Sequence, residues 1–130
     1  DACLAFFEAD EPGVAVAAAW AAALEIHHSE AGQLPCGVAV HLGRVIAGNI
    51  GTNERLEYTV IGDAVNTVAR MEAATRKLNT PLLISGEALA KMPEPHGCRC
   101  LGEHAMRGRH QPVELWTLTT AEPSGDAEKN

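Results

Sequence analysis

The sequence predicts an α+β domain in which helices pack on a sheet. Three observations carry that expectation. Strand-length apolar runs alternate with helix-length segments along the chain. The length, 130 residues, suits one domain and is too short for two of ordinary size. Hydrophobic residues make up 46% while aromatics make up only 4%, so the core is aliphatic and finely divided.

Each element follows from local chemistry. Ala2 to Ala9 is apolar, carries Phe6 and Phe7, and reads as a buried strand. Asp10 to Gly13 is a turn, with Pro12 suited to the first turn of a helix. Val14 to Ala31 is dense in alanine and predicts a helix that stops at Gly32. Cys36 to Leu42 alternates and is β-branched, which predicts a strand broken by Gly43. Val45 to Ile50 keeps β character, with Gly48 and Gly51 permitting a turn or a close backbone approach. Thr52 to Arg55 is a polar loop, and Leu56 to Ile61 is again a strand. Asp63 to Leu78 has an acidic start and a basic end, as a helix dipole favours. Pro81 to Ile84 is a short buried strand, and Ser85 and Gly86 lead a brief helix to Lys91. Cys98 to Gly102 and Pro112 to Leu118 are the final strands, around a basic turn of Arg107, Gly108, Arg109 and His110. From Thr120 the chain is polar and predicts a disordered tail, so the domain is expected over 1–119 and the tail over 120–130.

Charge narrows the partners. Ten basic and seventeen acidic residues leave a net charge of −7, which argues against a broad nucleic-acid footprint. A small anion needs only one or two cations and a few backbone N–H groups, so that class stays open. The four cysteines (Cys3, Cys36, Cys98 and Cys100) do not follow a zinc-knuckle spacing and read as thiols of a reducing cytosol. No run of eighteen apolar residues is present, so no membrane contact is expected from this stretch. The chain opens on Asp1 rather than Met and reads as a piece of a longer protein.

The candidate site begins at Gly62-Asp63, where a strand runs straight into a helix. Asn66 and Arg70 are i and i+4 on that helix and stack on one face. Ala73 and Lys77 continue their stripe, while Val65, Val68, Ala69 and Glu72 form a neighbouring, more apolar one. A guanidinium is a permanently charged fork of donors that suits phosphate oxygens, and an amide orients a ribose or phosphate oxygen. By itself such a pair far more often marks a solvated helix face than a binding site. His27 and His28 diverge around their helix and read as surface. His41 reads as packing at a strand end, Trp20 and Trp116 read as core anchors, and the basic turn reads as solvated, with a phosphate contact as its alternative.

The wider pattern resembles a known family. GVAVHLGRVIAGNIG (37–51) followed by ERLEYTVIGDAVNTVARME (54–72) looks like the signature region of the class III adenylate and guanylate cyclase catalytic domain. LGEHAMRGRHQPVELWTL (101–118) resembles that family's closing strands, and DACLAFF (1–7) resembles the second strand of its Gly-Asp hairpin. The resemblance implies a ferredoxin-like α/β sandwich, present here as its C-terminal three-quarters without the first strand and the two helices after it. It implies conversion of ATP to 3′,5′-cyclic AMP and pyrophosphate for intracellular signalling, with two divalent cations, Mg²⁺ or Mn²⁺, as cofactors. Asn66 matches the ribose-orienting residue and Arg70 the one that stabilises charge on the α-phosphate. Thr59 falls at the purine-reading position, where threonine resembles the bacterial and soluble adenylate cyclases; its hydroxyl serves adenine or guanine, so GTP stays open as substrate. Asp1 falls at the second metal aspartate. The first metal aspartate and the purine-reading lysine would precede Asp1, so the piece alone is expected to be inactive. The resemblance also implies a homodimer with the active site at its interface and a cytoplasmic domain whose parent is anchored to a membrane or not. The rival readings are a guanylate cyclase and a non-catalytic module that binds nucleotide or dimerises.

Overall fold

The computed structural model describes residues 2–29, 36–54, 56–93 and 97–119. Helix α1 spans Pro12–Ser29, with Pro12 at its first position, where a missing N–H costs nothing. Strand β1 (Val38–Val40) follows, then β2 (Ile46–Gly51) and β3 (Leu56–Ile61). Helix α2 covers Asp63–Lys77, β4 covers Leu82–Ser85, and α3 is a single turn, Gly86–Leu89. Strands β5 (Cys98–His104) and β6 (Val113–Leu118) complete the order. The elements match the sequence expectation closely from α1 onward. The expected tail lies outside the described residues, as do Asp1 and Gly32.

Four strands form one mixed sheet in the order β1-β4-β6-β5. β1 pairs parallel with β4, Val38 opposite Leu82, while β4–β6 and β5–β6 are antiparallel. Strand β4 explains why the domain has two helix layers. All four of its residues are buried, because alternate side chains enter different clusters. Leu82 and Ile84 join Val16, Trp20 and Ala23 of α1 together with Ala88 and Leu89 of α3. Leu83 joins Met71 of α2, Met106, and Val113 and Leu115 of β6.

Two expectations need correction. Ala2 to Ala9 is not a strand: these residues are exposed, Leu4, Phe6 and Phe7 among them. No described strand pairs with the segment, so it gains no ladder and no layer in which to bury alternate side chains. The buried stripe of α2 is Thr67, Met71 and Thr75, rather than one built on Val65, Val68, Ala69 and Glu72. Ala69 is exposed, and Val65 and Val68 are only half-buried.

β2 and β3 form a separate antiparallel ribbon, paired from Ile46 opposite Ile61 to Gly51 opposite Leu56. Gly62 then turns the chain into α2 at φ 147°, ψ 164°, a region open essentially to glycine alone. A Cβ placed there would lie 2.9 Å from the Arg44 carbonyl oxygen. Gly62→Ala is therefore expected to lower stability by about 1–3 kcal/mol. Urea unfolding checks this, and a midpoint equal to wild type would contradict the strain. Among the described residues no helix is long and apolar enough to cross a membrane.

Candidate functional site

The strand-to-helix turn at Gly62 fixes where the Asn66 and Arg70 face of α2 points. Burying Thr67, Met71 and Thr75 leaves Asn66 and Ala73 exposed and Arg70 half-buried. The buried threonines carry no orphaned hydroxyl at the lower end of that stripe: Thr75 Oγ1 donates to the Glu72 carbonyl at 2.6 Å. Asp63 opens the helix with a negative charge, where the peptide dipoles favour one.

Arg70 reaches toward the basic turn. A Cβ built on Gly108 would sit 3.8 Å from Arg70 Nη1, so the guanidinium rests beside that glycine. Gly108 has φ 87°, and the turn is closed by Arg109 N–H donating to the Met106 carbonyl at 3.1 Å. Thus the described structure brings Arg70 and the turn together, although they are far apart in sequence. Thr59 stands on β3 opposite Gly48 in the ribbon and is half-buried. Among the described residues no hydrogen bond or ion pair joins Thr59, Asn66 and Arg70 to one another. A Cβ built on Gly48 would meet nothing within 4 Å, so no described residue fills the space beside it. Gly51 has the positive φ, 140°, that a turn uses.

Beside this face lies a cleft of about 380 Å³ whose lining includes His41, Arg44, Asp63, Glu87, Arg109 and His110. It draws on the β1–β2 connection, the start of α2, α3 and the basic turn. Sequence reasoning noted His41 and the turn but missed Arg44 and Glu87 as neighbours; the only local signal was a serine cap at Ser85 followed by an acidic first turn. His41 is part of the cleft wall, its side chain 4% exposed. Its Nδ1 is 2.8 Å from Ser85 Oγ, which also accepts the Ala88 N–H that caps α3. Burial pushes the imidazole below its ordinary value; Glu87 and Asp63 oppose that shift and Arg109 reinforces it. Glu87 also accepts from Arg109 Nη2 at 3.3 Å.

The other singled-out residues behave as structure. Trp20 is buried under the sheet and Trp116 is half-buried. His28 is exposed and His27 half-buried, their rings 5.6 Å apart between centroids. Cys3, Cys36 and Cys100 are exposed, while burial pushes the Cys98 thiol up. Among the described residues no group of three or more His, Cys, Asp or Glu is placed to hold a metal ion. The described donors alone therefore do not fit a divalent metal site, and Asp1 lies outside them.

Comparison with known proteins points the same way as this geometry. The sequence model of the family described as the adenylate and guanylate cyclase catalytic domain matches residues 14–120. The chain is 40% identical over 90 residues to adenylate cyclase 2 of Rhizobium meliloti, covering 68% of this chain and 24% of that protein. It is 36% identical over 121 residues to an uncharacterized protein of Mycobacterium tuberculosis, covering 88% of this chain and 22% of that one. Among solved structures it is similar to the adenylyl cyclase CyaB from P. aeruginosa, at 29% identity and a TM-score of 0.53, over 64% of this chain and 41% of that one. A bacterial light-regulated adenylyl cyclase gives 32% identity and a TM-score of 0.53, over 60% of this chain and 22% of that one. The chain thus spans about a quarter or less of the length of these two curated relatives.

Proposed function

The chain belongs to the adenylate and guanylate cyclase catalytic domain family, and from that premise we propose that its protein converts ATP to 3′,5′-cyclic AMP and pyrophosphate. The observation that carries the proposal is the α2 face. Asn66 and Arg70 project one turn apart, away from the buried Thr67–Met71–Thr75 stripe, and Arg70 lies against a turn bearing two further arginines. That is a donor-rich surface on a rigid helix, suited to a triphosphate and unneeded for packing.

In this reading the ribose 3′-hydroxyl releases its proton to solvent as its oxygen bonds the α-phosphorus, and the bond to pyrophosphate breaks in line. Asn66 orients the ribose. Arg70 donates to α-phosphate oxygens as charge develops on them, in a geometry set before the reaction. Thr59 reads the purine. Two divalent cations, Mg²⁺ or Mn²⁺, are the proposed cofactors; they would neutralise charge on the phosphates, and Asp1 would be the carboxylate that this chain contributes to holding them. A second copy of the chain is the proposed partner. The ribbon supports this by exposing Ile46 at 70%, with Val45 and Ile61 also exposed, as an apolar arm does when another protomer covers it. The domain is proposed to act in the cytoplasm.

The decisive assay uses the complete protein that carries this domain. Dimeric protein with Mn²⁺ or Mg²⁺ is expected to form cyclic AMP from ATP, and no cyclic product from either ATP or GTP would sink the reading. The 130-residue chain, assayed in parallel, is expected to show no turnover. Thr59 carries the base choice. Thr59→Asp is expected to change the ATP-over-GTP ratio of kcat/KM by about tenfold or more, the scale of one buried hydrogen bond. An unchanged ratio would remove Thr59 from the purine site.

A further inference from the structure

Three elements meet at one carboxylate. Glu87, on the first turn of α3, accepts from Arg109 Nη2 at 3.3 Å and lies 4.0 Å from His41 Nδ1. Arg109 is a member of the turn that ends in its own N–H donating to Met106, and Gly108 of that turn lies beside Arg70. The Arg109 side chain is 19% exposed and that of Glu87 48%, so only the arginine side of this pair is withdrawn from solvent. A chain of contacts therefore runs from Glu87 through Arg109 and Gly108 to Arg70.

We propose that Glu87 is a positioning residue for Arg70, holding the Met106–Arg109 turn through Arg109, and that His41 releases this hold when it takes up a proton. The inference rests on Arg70 facing the phosphates, and names what keeps it there. Neutral His41 satisfies its Nδ1 through Ser85 and leaves the Glu87 carboxylate to Arg109. Protonated His41 is a second cation facing the same carboxylate, in a wall that also contains Arg44, His110 and Asp63. Asp63 partly offsets the new charge; Arg44 and Arg109 repel it. His41 faces Oε1 and Arg109 faces Oε2, so the new cation shares the charge that holds Arg109, and the turn loosens.

The sign with pH follows from burial. The unfolded imidazole titrates at its ordinary value of 6.5 and the folded one below it. Between those two values the unfolded chain binds more protons, so stability falls as pH falls through that window. At neutral pH the ring is uncharged and the turn is held.

Proton–nitrogen spectra of the 130-residue chain, recorded across pH, test the link without any assay of activity. The Gly108 amide is expected to titrate with the His41 ring, at a shared midpoint below 6.5. Glu87→Gln is expected to lower the His41 midpoint further, since it removes a charge that favours the imidazolium, and to abolish the response at Gly108. Arg109→Gln is expected to raise that midpoint. A Gly108 amide indifferent to the His41 titration, or a midpoint unmoved by Glu87→Gln, overturns the proposal. In the complete protein, Glu87→Gln is expected to lower kcat by about tenfold with KM little changed, because a misplaced Arg70 loses contact mainly in the transition state. A variant with wild-type kcat in an active enzyme overturns the positioning role. A wild-type protein without cyclase activity overturns the cyclase reading instead, and the spectra still decide whether Glu87 holds the turn.

Discussion

Arg70→Ala in the complete protein is expected to cut cyclic nucleotide formation by on the order of 10²–10³-fold while leaving the fold intact. The two halves of that expectation have separate reasons. Packing on α2 is carried by Thr67, Met71 and Thr75, and Arg70 belongs to neither core cluster. Alanine is also the better helix former, so the helix itself does not suffer. What disappears is a forked cation beside Gly108, and with it the donor proposed to meet charge as it builds on the α-phosphate. Arg70→Lys keeps the charge but loses the planar fork, and should recover only part of the rate. Circular dichroism establishes that each variant is folded. A folded Arg70→Ala enzyme within a few-fold of wild type would remove Arg70 from the chemistry.

Leu83→Ala carries the largest expected stability loss, about 2–5 kcal/mol. Leu83 is 0% exposed, in a strand covered on both faces, and its cluster mates Met71, Met106, Val113 and Leu115 come from three other parts of the chain. A cavity there cannot close by moving one element, because α2, β6 and the approach to the basic turn all border it. Domains of this size have on the order of 5–15 kcal/mol in total, so the loss removes a large share of the stability. Urea denaturation measures the loss. A shift below about 1 kcal/mol would mean that the site repacks and that the two-layer account of β4 is wrong.

How much of this was legible in the sequence depends on the range of the interaction. Helix α2 was legible because Gly62-Asp63 marks its start and basic residues mark its end, and the i, i+4 relation of Asn66 and Arg70 needs nothing beyond helix geometry. The family resemblance was legible for the same reason, through contiguous stretches. The buried stripe of α2 was not. Thr67 and Thr75 look polar, yet they are small, and Thr75 satisfies its hydroxyl on its own helix and so fits the interior. The segment 2–9 misled because apolar composition measures a wish to be buried, not the presence of a neighbouring strand. The cleft was hidden most thoroughly. His41, Glu87 and Arg109 meet only because the sheet order places β1 beside β4 and β4 beside β6, and no local pattern announces that crossing.

The detached ribbon has a consequence for what unfolding measures. Among the described residues, β2 and β3 pair with each other and with no strand of the four-stranded sheet. A lone two-stranded ribbon is marginal in water, and this one leaves Ile46 and Ile61 exposed. Its opening costs little of the free energy stored around Leu83 and Trp20. The ribbon is therefore expected to open before the sheet and its helices do. A single global unfolding free energy describes the sheet and its helices, whereas the ribbon has its own shallow equilibrium between closed and frayed forms. Whatever covers its apolar side draws that equilibrium toward the closed form by mass action, so order in the ribbon becomes a function of concentration.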